Sequence, residues 1–185
     1  MEELRITVAT SADAADIAAI YAPYVQDTAI TFEYNVPSLE EFRHRMKNIT
    51  LRYPYIVLEA DGKVMGYAYA GSFIGRAAYD WSAEMTIYLR MDARRAGIGG
   101  QLYRTLEDLL RDMGVLNLNA CIGYPQTDDD PYLTTNSVDF HKHLGYEWVG
   151  RFHDSGSKFG RWYDMVWMEK ILAPHPAPPA PICPF

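Results

Sequence analysis

The apolar positions of this chain change period several times, and each change marks an element. Residues 4–10 alternate apolar and polar side chains, the two-residue period of a strand. "SADAADIAAIYAPYVQ" then spaces its apolar residues as a helix does, with Ser11 placed to cap it. "SLEEFRHRM" sets Glu41 three residues after Ser38, a capping box that starts a second helix. "YIVLEADGKVMGYAYAG" reads as two strands joined at Asp61-Gly62. A further strand is expected over about residues 84–89. The next helix repeats apolar residues at Leu102, Leu106, Leu109, Leu110 and Met113 and stops at Gly114. "VLNLNACI" is a strand, and "NSVDFHKHLG" is a short helix ended by Gly145, with Asn136 placed to cap it. "EWVGRF" and "WYDMVWMEKIL" form a closing pair of strands. No segment repeats.

The chain has 185 residues, 49% of them hydrophobic, which suits one domain with a sizeable core. That domain is expected over residues 1–172. The remainder, "APHPAPPAPICPF" at 173–185, alternates proline with alanine and reads as an extended or disordered tail. The formal net charge of −7 argues against nucleic acid or an acidic membrane as the main partner. Cys121 and Cys183 fall in a strand and in the tail, so neither a structural disulfide nor a metal site is expected. The first residues lack a signal peptide's pattern, and no apolar run approaches the roughly 20 residues of a membrane span. The expectation is a soluble cytoplasmic protein.

"RRAGIGGQLY" places three glycines between a strand and a helix. Such a turn presents open backbone N–H groups, with partial positive charge, at a helix start. A phosphate fits there; an ordinary loose connection is the alternative. No Lys-Ser/Thr pair follows the glycines, so this is not a P-loop. The spacing also lacks the third glycine of the dinucleotide fingerprint.

Arg94-x-x-Gly97-x-Gly99 resembles the acetyl-CoA pyrophosphate loop of the GNAT N-acetyltransferase superfamily, whose pattern is Gln/Arg-x-x-Gly-x-Gly/Ala. The element order agrees. "RAAYDWSAEMTIYL", "FHKHLGY" and "GSKFGRWYDMVWM" narrow the likeness to the phosphinothricin acetyltransferase family, which includes methionine sulfoximine and sulfone acetyltransferases. The resemblance covers roughly residues 4–171. It implies an α+β fold: a mixed, mostly antiparallel twisted sheet of about seven strands flanked by about four helices. One departure is "YPQTDDDPYLTTNS", longer and more acidic than the family's loop beside the acceptor site.

The resemblance also implies roles. Acetyl-CoA is the donor, with no metal. Backbone groups of Arg95, Ala96, Gly97, Ile98, Gly99 and Gly100, with Arg94 beside them, cradle its pyrophosphate. Ile87, Tyr88 and Leu89 offer strand-edge groups to the pantetheine arm, and Ser137 contacts CoA. Glu84 is the general base, or a solvated strand end. His141 gives a proton to the departing thiolate, or is a surface histidine. Arg76 binds a substrate carboxylate, with Tyr79 adding a hydroxyl contact, or is an ordinary exposed loop arginine; Phe32 and Tyr34 are the expected pocket walls. Lys158, Arg161 and Trp162 match the family and read as mainly structural. The expected acceptor is a small amine, an amino acid or analogue. The alternatives are a protein or peptide N-terminus, or an acyl-CoA-binding module without turnover. A homodimer is expected from the family and from the 14% aromatic content.

Overall fold

The computed structural model describes residues 4–93 and 97–185. In chain order the elements are β1 (Leu4–Val8), α1 (Ala14–Asp27), α2 (Leu39–Thr50), β2 (Tyr55–Ala60) and β3 (Lys63–Ser72). They continue with β4 (Ser82–Leu89), α3 (Ile98–Met113), β5 (Asn117–Tyr124), α4 (Asn136–His143), β6 (Glu147–Lys158) and β7 (Arg161–Ile171). Short 3₁₀ turns occupy Ala77–Tyr79 and Met91–Ala93.

Local chemistry explains several boundaries. Asp61 and Gly62 both take positive φ, 48° and 77°, the geometry that closes the β2–β3 hairpin with the twist of its strands. Ser38 accepts the Glu41 N–H, as the capping box requires. Two expected caps are replaced. The residue before α1 is Asp13, not Ser11, and its carboxylate turns back to accept the Thr10 N–H at 2.6 Å. Asn136 is the first residue of α4 and Thr135 precedes it, so Asn136 does not cap that helix. β4 begins at Ser82, two residues earlier than the pattern suggested, because Ser82 and Ala83 are also paired in the sheet.

The sheet order is β1-β2-β3-β4-β5-β7-β6, and among the described residues β4–β5 is its one parallel pair. This is the mixed, mostly antiparallel seven-stranded sheet expected. The two-residue alternation along each strand sorts side chains onto two faces. On one face Ala83, Met85, Leu118 and Ala120 meet Leu102, Leu106 and Leu110 of α3. Those three leucines are fully buried, each worth about 1.5–3 kcal/mol relative to exposure. On the other face Tyr55, Val57 and Tyr67 pack under Ile17, Tyr21, Tyr24, Phe42 and Met46 of α1 and α2.

One feature of the pairing creates the site. β4 and β5 are paired only from Ser82 to Glu84 and from Asn117 to Asn119. Beyond that point β4 continues on β3 and β5 continues on β7, so the two strands part. The tail is extended and docked. The Trp81 Nε1–H donates to the Ala180 carbonyl at 2.7 Å, the Cys183 N–H to Met113 at 2.9 Å, and the Phe185 N–H to Arg52 at 3.2 Å. No helix of the described residues is long and apolar enough to cross a membrane.

Candidate active site

The gap between β4 and β5 opens into a cleft of about 370 Å³. It runs through the sheet. Ser137 and His141 line it from α4, while Phe32, Tyr69, Glu84 and Cys121 line it from the opposite face. Two molecules can therefore meet in it from opposite sides.

Glu84 sits at the fork, opposite Gly71 on β3 and Asn119 on β5. It is the last residue of the parallel ladder, so its carboxylate stands where the strands begin to diverge. Burial raises its pKa above the usual carboxylate value. A half-buried carboxylate with raised affinity for a proton can take one from an incoming group. Cys121 faces the same cleft. Its thiol is pushed up to about 11, first by burial and then by the Glu84 charge, so it stays protonated at neutral pH.

Beyond the fork, Tyr88 turns its ring into the α1 side, with edge contacts to Tyr21 and Tyr24 at 4.9 Å between centroids. Leu89 does not leave its backbone open: the Tyr24 hydroxyl donates to its carbonyl at 2.6 Å. Ile87 shares that strand edge by the two-residue repeat, lines the cleft and has its backbone edge toward the gap.

The start of α3 faces the same end of the gap. Gly97 adopts φ 76°, a left-handed conformation that glycine alone takes cheaply, and no side chain caps the helix. The N–H groups of Ile98, Gly99 and Gly100 thus form a helix N-terminus suited to an anion. A side chain at Gly99 would crowd Leu89 at 3.1 Å and Phe140 at 3.4 Å. The Arg104 guanidinium lies over Gly100, within 3.3 Å of where a Cβ would stand, and adds a full charge. Its i+4 spacing from Gly100 was the available sequence signal. Arg94, Arg95 and Ala96 lie outside the described residues.

His141 is not a surface histidine. It is 3% exposed, and burial pulls its imidazole down to about 4 despite the opposing Ser137 carbonyl. It is therefore neutral at pH 7 and not the titrating group near neutrality expected from its residue type. A carbonyl only accepts, so the 2.7 Å contact with Ser137 assigns the hydrogen to Nδ1. Nε2 then accepts from the Tyr103 hydroxyl at 2.9 Å. Tyr103 is a fully buried residue of α3 that the sequence pattern did not single out.

Phe32 is held by its surroundings. Lys158 is 2% exposed and donates Nζ to the Thr28 and Thr31 carbonyls, each at 2.8 Å. A Cβ on Gly156 would overlap the Phe32 ring. The other expected acceptor contacts are elsewhere. Tyr34 is 71% exposed and donates to the Ser157 carbonyl at 2.7 Å, away from the cleft lining. Arg76 is exposed in the 73–81 loop, and Tyr79 lines a separate cavity. The acidic loop is pinned by Asp130, which accepts from Tyr132 N at 2.9 Å, Leu133 N at 3.0 Å and the Tyr163 hydroxyl at 3.2 Å. Asp130 therefore serves the loop's own fold. Among the described residues no group of three or more His, Cys, Asp or Glu could hold a metal ion.

The sequence profile of the acetyltransferase (GNAT) domain matches residues 6–167. The chain belongs to the GNAT acetyltransferase family. It is 34% identical over 181 residues to phosphinothricin N-acetyltransferase of Streptomyces viridochromogenes, covering 98% of this chain and 94% of that relative. A GNAT superfamily phosphinothricin acetyltransferase of Sinorhizobium meliloti, solved in complex with AcCoA, superposes with a TM-score of 0.81 at 35% identity, covering 92% of this chain and 88% of the other. A ribosomal-protein-alanine N-acetyltransferase of Brucella melitensis superposes with a TM-score of 0.83 at 32% identity, covering 91% and 99%. This GNAT chain is an acetyl-CoA-dependent N-acetyltransferase. The parted strands and the uncapped start of α3 fit a long thioester donor with a pyrophosphate.

Proposed function

We propose that this enzyme moves the acetyl group of acetyl-CoA directly to the amine of a small substrate, an amino acid or close analogue, with Glu84 as general base. The observation that carries this reading is the Glu84 carboxyl, half-buried at the fork, its pKa raised by burial. An alkylammonium is almost wholly protonated at neutral pH and cannot attack until a base removes a proton. In this scheme Glu84 takes that proton, directly or through water. The amine nitrogen attacks the thioester carbonyl carbon, and the Ile87 N–H faces the developing oxyanion. The C–S bond then breaks with its electron pair on sulfur. The nitrogen, cationic after the attack, gives up its second proton and sulfur takes it, relayed by water beside His141, whose imidazole stays neutral and is oriented by Tyr103 and Ser137.

The donor's pyrophosphate is assigned to the α3 N-terminus around Gly97–Gly100, with Ser137 alongside and Arg104 as the cation. The amino-acid assignment is supported by the substrate named for the Streptomyces relative. Arg76, exposed and without an ion pair among the described residues, is the cation assigned to a substrate carboxylate in this reading. A second reading is acetylation of a protein or peptide N-terminus, favoured by the likeness to the Brucella enzyme. Release of free CoA against a panel of methionine sulfone, its decarboxylated amine, phosphinothricin and an alanine-led peptide separates the two. Turnover of the amino acids over the peptide is the expected result. Turnover of the peptide alone overturns the small-substrate reading.

We also propose a homodimer. Trp162, 60% exposed, and Phe159, 38% exposed, at the β6–β7 turn offer apolar contact area. A monomeric mass by light scattering at micromolar concentration counts against it.

A further inference from the structure

A second cavity, of about 650 Å³, lies on the Glu84 face of the sheet, beyond Ser82 and Asn119. No helix of the α1–α2 pair reaches it, and the C-terminal tail forms its roof through His175, Pro176 and Pro179. The tail is pinned on both sides. The His175 Nε2–H donates to Asn117 Oδ1 at 2.8 Å, and the Trp81 indole holds the Ala180 carbonyl at 2.7 Å. The roof residues lie beyond residue 167, where the match to the acetyltransferase domain ends.

Its lining has a definite chemistry. Phe73 meets Trp167 edge-on at 5.4 Å and Tyr79 at 6.1 Å, so the rings form a continuous wall, with Trp81 beside them. Among the described residues Glu169 is the one carboxylate of the lining and no lysine or arginine joins it, with His175 held to Asn117 at the roof. Among the described residues the Glu169 side chain has neither a hydrogen bond nor an ion pair. Its neighbour Lys170 points to the opposite face, where Nζ meets Glu107 at 2.6 Å. An unneutralised carboxylate inside an aromatic wall attracts a cation, and the ring faces attract it again through their quadrupoles. A phosphate or a carboxylate would meet the Glu169 carboxylate with no lysine or arginine of the described lining beside it.

We propose that this tail-roofed cavity binds a small organic ammonium ion with an aromatic or aliphatic body, its charge facing Glu169 and its body against Trp167, Phe73 and Trp81. The site is separate from the acetyl-transfer cleft and does not depend on the reading given for that cleft. Both of its tryptophans report occupancy, since no tryptophan lines the cleft.

The experiment titrates the full-length protein with 2-phenylethylammonium, neutral 2-phenylethanol and anionic 3-phenylpropionate, following tryptophan emission. The ammonium should give a saturable change at least about tenfold tighter than the alcohol, and the acid none. Glu169→Gln should bring the ammonium down to the level of the alcohol. Gly150 also lines the cavity, and a Cβ there meets nothing within 4 Å, so Gly150→Leu should fill the space and block the probe in a folded protein. Calorimetric acetyl-CoA binding, expected to be unchanged in both variants, tests the fold and the donor site separately. Equal binding of all three probes, no saturable response, or full ammonium affinity in Glu169→Gln or Gly150→Leu overturns the proposal.

Discussion

The Tyr103 hydroxyl lies 2.9 Å from Nε2 of His141, and the Ser137 carbonyl holds Nδ1 at 2.7 Å. Together they fix one tautomer of a buried, neutral imidazole. Tyr103 does not itself line the cleft and acts through His141, which does. Tyr103→Phe keeps the ring and its packing but leaves Nε2 without a donor. The expected outcome is a fall in kcat of about tenfold, since about 1.4 kcal/mol of barrier is one decade. The KM for acetyl-CoA should stay unchanged, and the kcat–pH profile should move. Lower melting temperature with unaltered kcat and pH profile would make Tyr103 a packing residue.

The same burial has a consequence for stability. His141 binds a proton at about 6.5 when unfolded and only at about 4 when folded. Between those values the unfolded chain holds more protons, so stability falls as pH drops through that window and is fully present above it. His141→Gln, which is always neutral, should lose less melting temperature than the native chain between pH 7 and pH 4. Parallel curves for the two proteins would show that the histidine is not held neutral by burial.

Glu84→Gln preserves shape and removes the base. Turnover should fall by about a hundredfold or more, most at pH values well below the amine's pKa. Donor binding, measured by calorimetry, should be unaffected. Native turnover across the pH range in this variant would leave Glu84 as a ladder end with no chemical part.

Gly99→Val tests the donor site. The added side chain meets Leu89 and Phe140 at the mouth of the α3 N-terminus, and valine is branched where the clearance is least. The dissociation constant for acetyl-CoA should rise by about tenfold or more, with far-UV circular dichroism retained. Native affinity in a folded variant would move the pyrophosphate away from this turn.

Local signals in the sequence carried the elements and the glycine turn. Ser38 with Glu41, Asp61-Gly62 and Gly114 act through their own neighbours, so the capping box, the hairpin turn and the end of α3 were legible one residue at a time. The glycines at 97, 99 and 100 were legible for the same reason: a strand-to-helix turn needs no distant partner to expose its N–H groups. Glu84 and His141 could be picked out only through the family pattern, and their environments could not be read at all. The early start of β4 and the short β4–β5 ladder put Glu84 at a fork, and that depends on β5, more than thirty residues downstream. The neutrality of His141 depends on Tyr103, 38 residues away on another helix. Tyr24 meeting Leu89, Lys158 meeting Thr28, and the tail roofing the Glu169 cavity are likewise long-range. Charge state, enclosure and which groups share a cavity are set by desolvation and by neighbours in space, and only the packed chain brings those neighbours together.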